Sequence, residues 1–125
     1  MNLNQVTIPV LDIEAAIAFY EKLGLQLIVK SLPEYARFLC PAGQSTFSLH
    51  RVGVLPKGEG IWIYFEVENI NKTVQDIQSK EIVFETLPTA QPWLWTEASL
   101  KDIDNNHIII YHAGNNRINP PWRIK

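Results

Sequence analysis

Apolar side chains recur at every second position in two short stretches of this chain, Val6-Thr7-Ile8-Pro9-Val10 and Ile63-Tyr64-Phe65-Glu66-Val67. A period of two belongs to a strand with one buried face. Each stretch then runs into a side chain suited to accept hydrogen bonds from the free N–H groups of a helix start, Asp12 in the first and Asn69 in the second. Beyond these caps the period lengthens. Ile13, Ala16, Ile17 and Tyr20, and again Ile70, Thr73, Val74 and Ile77, fall at the i, i+3, i+4, i+7 spacing that lays an apolar stripe along a helix. One offset of 57 positions relates strands, caps and stripes, so the chain carries an internal repeat, which fades at Gly24, whose counterpart is Glu81.

Each helix is followed by three strand-like stretches separated by turn residues. In the first half they fall at 25–30, 35–40 and 45–52, punctuated by Pro33, Pro41 and Gly43; in the second at 82–86, 93–100 and 107–112, punctuated by Pro88, Pro92 and the turn 102–106. Both halves read β-α-β-β-β. The predicted class is α+β, with module one at 1–52, a linker at 53–60 and module two at 61–112 inside one domain over 1–114. The tail at 115–125 carries Pro120-Pro121-Trp122 and is expected to run extended over the surface, with Trp122 docked in a groove or on a partner subunit.

Charge removes several functions. Thirteen acidic side chains against 11 basic ones leave a formal charge of -2, and no Lys/Arg run interleaves with aromatics, so nucleic acid is not an expected partner. The opening MNLNQVTIPV lacks a basic segment and a long apolar core, and no apolar run approaches the roughly 20 residues that span a bilayer. The expectation is a cytoplasmic protein without a membrane partner. The single cysteine, Cys40, cannot form an internal disulfide, so stability must come from the core. With no neighbouring His to serve as base, Cys40 reads as a core or rim thiol.

Four segments, NQVTIPVLDIEAAIAFYEKLGLQL at 4–27, STFSLHRV at 45–52, IWIYFEVENI at 61–70 and DIDNNHIIIYHAG at 102–114, resemble the vicinal-oxygen-chelate superfamily, which includes glyoxalase I, bleomycin-resistance proteins, fosfomycin-resistance enzymes and extradiol dioxygenases. The resemblance covers nearly the whole chain. It implies two βαβββ modules that curve a mixed sheet around a cleft holding a metal or a small organic ligand, in a homodimer. The chemistry is left open, because the fold serves many.

Strand alternation sorts the side chains independently of the family. If Val6, Ile8 and Val10 pack on the helix, then Gln5, Thr7 and Pro9 face away from it. By the same rule Ile63, Phe65 and Val67 are core while Trp62, Tyr64 and Glu66 are not. Phe47 and Leu49 turn inward, leaving Ser48 and His50; Ile108 and Ile110 turn inward, leaving His107, Ile109 and Tyr111.

In metal-dependent members of the family, the first strand of each module gives a His or Gln and the fourth a Glu; the resemblance maps those positions onto Gln5, Ser48, Trp62 and Ile109. Only Gln5 is of a ligand type. A Lewis-acid cation needs several N or O donors at about 2.0–2.2 Å, so no metal cofactor is expected. A divalent metal on a displaced set, Gln5, His50 and Glu66, is the alternative, serving a glyoxalase-type lyase or isomerase or a dioxygenase-related enzyme. Trp62, Tyr64, Trp93, Trp95, Ile109 and Tyr111, with Gln5, Thr7, Ser48, His50 and Glu66 as polar groups, suit a small organic ligand, aromatic or hydrophobic. The same rings also suit a plug or an interface, which makes an interaction module a further alternative.

His50 and Glu66 are the candidate catalytic acid–base pair, set against the reading that both sit at strand ends in water. His107 and His112 flank the last strand and are expected to touch solvent or the tail. The stretch from Asp102 opens like a calcium loop, but its sixth place is His107 rather than Gly and its twelfth is Ala113 rather than Glu. It reads instead as a tight turn in which Asn105 and Asn106 tolerate the left-handed conformation.

Overall fold

The computed structural model describes residues 1–124 and divides into two compact units, Met1–Gly60 with Asp102–Asp104, and Ile61–Lys101 with the residues from Asn105 onward. The first unit holds β1 (Gln5–Val10), α1 (Ile13–Leu23), β2 (Gln26–Ser31), β3 (Tyr35–Leu39) and β4 (Thr46–Arg51). Its sheet runs β1-β4-β3-β2, with β1 parallel to β4 and the other pairs antiparallel. A parallel pair cannot be closed by a tight turn. The chain therefore passes through α1, β2 and β3 before β4 returns beside β1.

Alternation assigns the faces. Ile8, Val10, Ala36, Phe38, Phe47 and Leu49 are buried with the α1 stripe of Ile13, Ala16, Ile17 and Tyr20. Val6, expected in the same row, stays 38% exposed near the start of its strand. Asp12 caps α1 by accepting the Ala15 N–H at 3.2 Å, and Gly24 ends it in the left-handed region at φ 110°.

The ring of Tyr20 meets Phe47 at 4.8 Å and Phe19 edge-on at 5.1 Å between centroids. Its hydroxyl donates to the buried Asp102 carboxylate. Asp102 also accepts the Asp104 N–H at 2.9 Å, and Asp104 accepts the Leu11 N–H at 3.3 Å. Burial first, then the charge of Asp102, push the Tyr20 phenol far above its ordinary range, so it remains a donor. Burial also pushes the Asp104 carboxyl up, helped by the charges of Asp102 and Asp12 and opposed by the Leu11 N–H.

The second unit repeats the plan with β5 (Trp62–Glu66), α2 (Ile70–Gln78), β6 (Thr86–Ala90), β7 (Thr96–Lys101) and β8 (His107–His112), in the order β5-β8-β7-β6 and with β5 parallel to β8. Asn69 caps α2 by accepting the Lys72 N–H at 3.1 Å. Ile70, Val74 and Ile77 are buried, as are Ala98, Leu100, Ile108 and Ile110. The middle isoleucine of β8, Ile109, belongs to a separate buried cluster with Tyr111 and Ala113, against which Trp95 packs. Asn105 takes φ 65°, as the turn reading requires.

Three expectations change in this unit. The strand placed at 82–86 forms instead at Thr86–Ala90. Pro88 fits there because β6 is an edge strand, and the pairing with β7 shifts register between Thr86 and Thr89. The strand placed at 93–100 starts only at Thr96, since the chain turns through 91–95 with Leu94 at φ 68°. The tail is not extended at its start: Gly114–Arg117 form a 3-10 turn. The last residue of the expected tail, Lys125, lies outside the described residues. Among the described residues no helix is long and apolar enough to cross a membrane.

Replacing Tyr20 with Phe keeps the ring in the core and removes only the donor to Asp102. The expected loss is about 1.5–3 kcal/mol, read as a lower urea midpoint with an unchanged slope.

Candidate functional site

The face of the first sheet turned away from α1 is polar. Thr7 of β1, Ser48 of β4 and Arg37 of β3 lie in one cross-strand row, and His50 and Tyr35 are partners in the next. Ser48 is fully buried, so its hydroxyl needs partners. It shares a 2.7 Å hydrogen bond with the Tyr35 hydroxyl and accepts from Gln5 Nε2 at 2.9 Å. Gln5 Nε2 also donates to Thr7 Oγ1 at 3.0 Å, while Gln5 Oε1 accepts the Thr46 hydroxyl. Arg37 Nε donates to the Tyr35 hydroxyl at 2.9 Å. Burial pushes the Tyr35 phenol up, but the hydrogen bonds to Ser48 and Arg37 and the charge of Arg37 outweigh it and hold the phenol below its ordinary value. His50 is exposed.

The corresponding face of the second sheet is aromatic. Trp95 stacks on Tyr111 with centroids 4.7 Å apart, and Tyr64 meets both rings edge-on at 6.0 and 5.7 Å. Trp93 donates through Nε1 to Glu97 at 2.6 Å. Tyr64, Trp93, Trp95, Glu97, Arg117 and Trp122, with Asn116 and Pro120, line a groove of about 410 Å³. Burial raises the Tyr64 and Tyr111 phenols, reinforced in the first by Glu97 and in the second by Glu66.

Glu66 is occupied. One carboxylate oxygen accepts the N–H groups of Ala113 and Gly114 at 2.8 and 3.0 Å, and the other lies 3.5 Å from Arg117 Nε. The carboxylate thus holds the 3-10 turn that carries Arg117 and Asn116 to the groove. His107, expected in solvent or against the tail, is partly buried and stacks on its cross-strand partner Trp62 at 4.0 Å and 5°. His112 is exposed and bonds through Nδ1 to the Val67 carbonyl at 2.7 Å. Cys40 is half-buried, and burial raises its thiol pKa.

The predicted site residues therefore fall in two groups. Gln5, Thr7 and Ser48 are hydrogen-bonded together on the first unit, with His50 in the next row. Tyr64, Trp93, Trp95 and Tyr111 come together on the second, and Ile109 is buried behind the rings. Trp62 pairs with His107 outside the groove lining. Sequence reasoning passed over Tyr35 and Arg37, although alternation about the buried Ala36 and Phe38 was sufficient to place them. Glu97 was available from its i, i+2 relation to Trp95; Arg117 was not, because its place depends on the folded tail.

Two βαβββ units with parallel first and fourth strands define a glyoxalase-like class. The chain belongs to the Glyoxalase/Bleomycin resistance protein/Dioxygenase superfamily, whose model matches residues 2–110. Its fold is similar to that of a glyoxalase/bleomycin resistance protein/dioxygenase from Nocardioides, at 18% identity and TM-score 0.79 over 100% of this chain and 90% of that one. It is also similar to lactoylglutathione lyase from Agrobacterium tumefaciens, at 17% identity and TM-score 0.74 over 89% and 92% of the two chains. A bleomycin-binding protein solved with bleomycin matches at 18% identity and TM-score 0.72 over 90% and 98%. No curated protein matches the chain.

The residues at the four positions the resemblance assigns to a metal do not fit one. Gln5 and Ser48 already engage each other and their neighbours, the Trp62 indole lies flat on His107, and Ile109 has no donor atom. The displaced set fares no better at Glu66, whose oxygens are committed. Among the described residues no group of three His, Cys, Asp or Glu side chains is placed to hold an ion.

The chain has four tyrosines. Three have raised phenols and Tyr35 alone a lowered one. A lowered pKa means ionisation at lower pH than the ordinary value near 10. Alkaline titration followed by tyrosinate absorbance should therefore show Tyr35 ionising first, and Tyr35→Phe should delete that earliest step and leave the later ones.

Proposed function

We propose that this chain is a small-molecule-binding member of its superfamily that takes a planar aromatic or hydrophobic ligand in the groove of the second unit, without a divalent cation. The observation that carries the reading is the state of the rings. Trp95 and Tyr111 form a packed floor, while Trp93 and Trp122 remain 45% and 58% exposed as open walls. A few hundred Å³ lined by apolar rings, with few polar groups, is the ordinary composition of a small-ligand site. Glu97 and Arg117 give the ligand a polar orientation. The complex of a solved relative with bleomycin supports binding as a use of this fold.

The exposed walls favour this reading over the plugged interaction module, in which the rings would bury one another. A lyase or isomerase with a displaced metal at Gln5, His50 and Glu66 would first have to strip Glu66 of Ala113, Gly114 and Arg117. The proposal includes a homodimer, for which Trp122 and Ile124 supply exposed apolar surface.

All four tryptophans belong to the second unit and three of them, Trp93, Trp95 and Trp122, line the groove, so fluorescence reports on it. Titration with aromatic amphiphiles such as anilinonaphthalene sulfonate should quench it saturably. Trp93→Ala should weaken binding about tenfold, near 1.4 kcal/mol. An unsaturable response in the native protein would overturn the binding reading. Elemental analysis of protein purified without chelator should find nickel, zinc, iron and manganese well below one ion per chain; a stoichiometric ion would overturn the metal-free part.

A further inference from the structure

The polar face of the first unit holds hydrogen-bond donors that no described residue accepts, and we propose that it is a binding site for an oxyanion, a carboxylate or phosphate group, seated on the cross-strand row Thr7–Ser48–Arg37. A guanidinium has five N–H donors. One of those of Arg37 goes to Tyr35, and the four on its terminal nitrogens find no acceptor among the described residues. The Tyr35–Ser48 pair has two hydroxyl hydrogens. One makes the bond between them, and because Arg37 and Gln5 already donate into the pair, the other is left over whichever way the bond points. Thr7 Oγ1 accepts from Gln5, which leaves its own hydrogen unused.

Charge points the same way. The three rows of this face on β1, β4 and β3 are Gln5–Thr46–Leu39, Thr7–Ser48–Arg37 and Pro9–His50–Tyr35, and none contains a carboxylate. The β2 partners of Arg37 and Tyr35 are Val29 and Ser31. Arg51 and Arg117 pair with Glu34 and Glu66, whereas Arg37 sits half-buried in mid-strand with no carboxylate partner among the described residues. Its Nε bond and its position 5.4 Å from the centre of the Tyr35 ring hold the group in place. A fixed guanidinium with its terminal nitrogens unengaged is prepared for the paired hydrogen bonds that a carboxylate or phosphate accepts. A half-buried cation without a counter-ion also carries a desolvation cost that a bound anion relieves.

The proposal is independent of the aromatic groove, and its readout avoids tryptophan. Proton–nitrogen NMR of the arginine Nε–H groups is followed while the full chain is titrated with benzoate in one arm and inorganic phosphate in the other. The Arg37 signal should shift saturably at millimolar concentration in at least one arm, and the arm that responds at lower concentration identifies the source of the oxyanion. The bound anion should also raise the Tyr35 ionisation pH by offsetting the charge of Arg37. Thr7→Val, at an exposed position, should weaken the response severalfold. Arg37→Gln should abolish the anion's effect on Tyr35, and Arg51→Gln should leave it intact. Lack of saturation at Arg37 in both arms, or equal loss in Arg51→Gln, would overturn the proposal. Benzoate that quenches tryptophan without moving the Arg37 signal would overturn it too, while leaving the groove reading in place.

Discussion

The pleat of the two parallel strand pairs, β1 with β4 and β5 with β8, governs everything else in this molecule. Successive side chains on a strand point to opposite faces, so once Ile8, Val10, Phe47 and Leu49 turn toward α1, their neighbours are committed to the other face. The same logic commits Tyr64, Ile109 and Tyr111 once Ile108 and Ile110 join the α2 side. A shift of one residue in either register would exchange core for site. Helix burial thus decides the chemistry indirectly, by determining which side chains are left over.

Those remaining side chains have diverged in opposite directions. In the first unit they form a hydrogen-bonded lattice around a buried serine, rich in donors and lacking acid. In the second they form stacked rings with Glu97 and the occupied Glu66 beside them. Gln5, Ser48 and Glu66, three side chains that could offer atoms to a cation, each already have neighbours to satisfy. The Tyr20–Asp102 bond shows the same economy inside the core, where a buried carboxylate is tolerated because a phenol kept protonated by burial supplies its donor.

The repeat, both caps and the alternation were legible in the sequence because each is a local rule with a short period. The β-α-β-β-β order followed, and with it the grouping of Tyr64 with Tyr111 and of Gln5 with Ser48. What could not be read depended on longer-range events. Trp93 reads as the start of a strand because Trp95 and Thr96 follow it, but the turn at Leu94 places it on the groove wall. Thr86–Ala90 was passed over because Pro88 argues against a strand unless the strand is known to lie at an edge. Glu66 resembled a free acid until the tail, whose path no periodicity foretells, came to rest on it.

Gly24 caps α1, its counterpart Glu81 lies three residues past the end of α2, and both take the left-handed conformation, at φ 110° and 67°. A side chain there carries a torsional penalty of roughly 1 kcal/mol that glycine escapes. The second copy caps its helix with Ser79 in the right-handed region and bears this small handicap two residues later, at an exposed corner. The architecture is therefore more durable than its lettering: the route of the main chain outlasts the loss of the residue best suited to it, and a search for such duplications by residue identity alone would miss the correspondence at this corner.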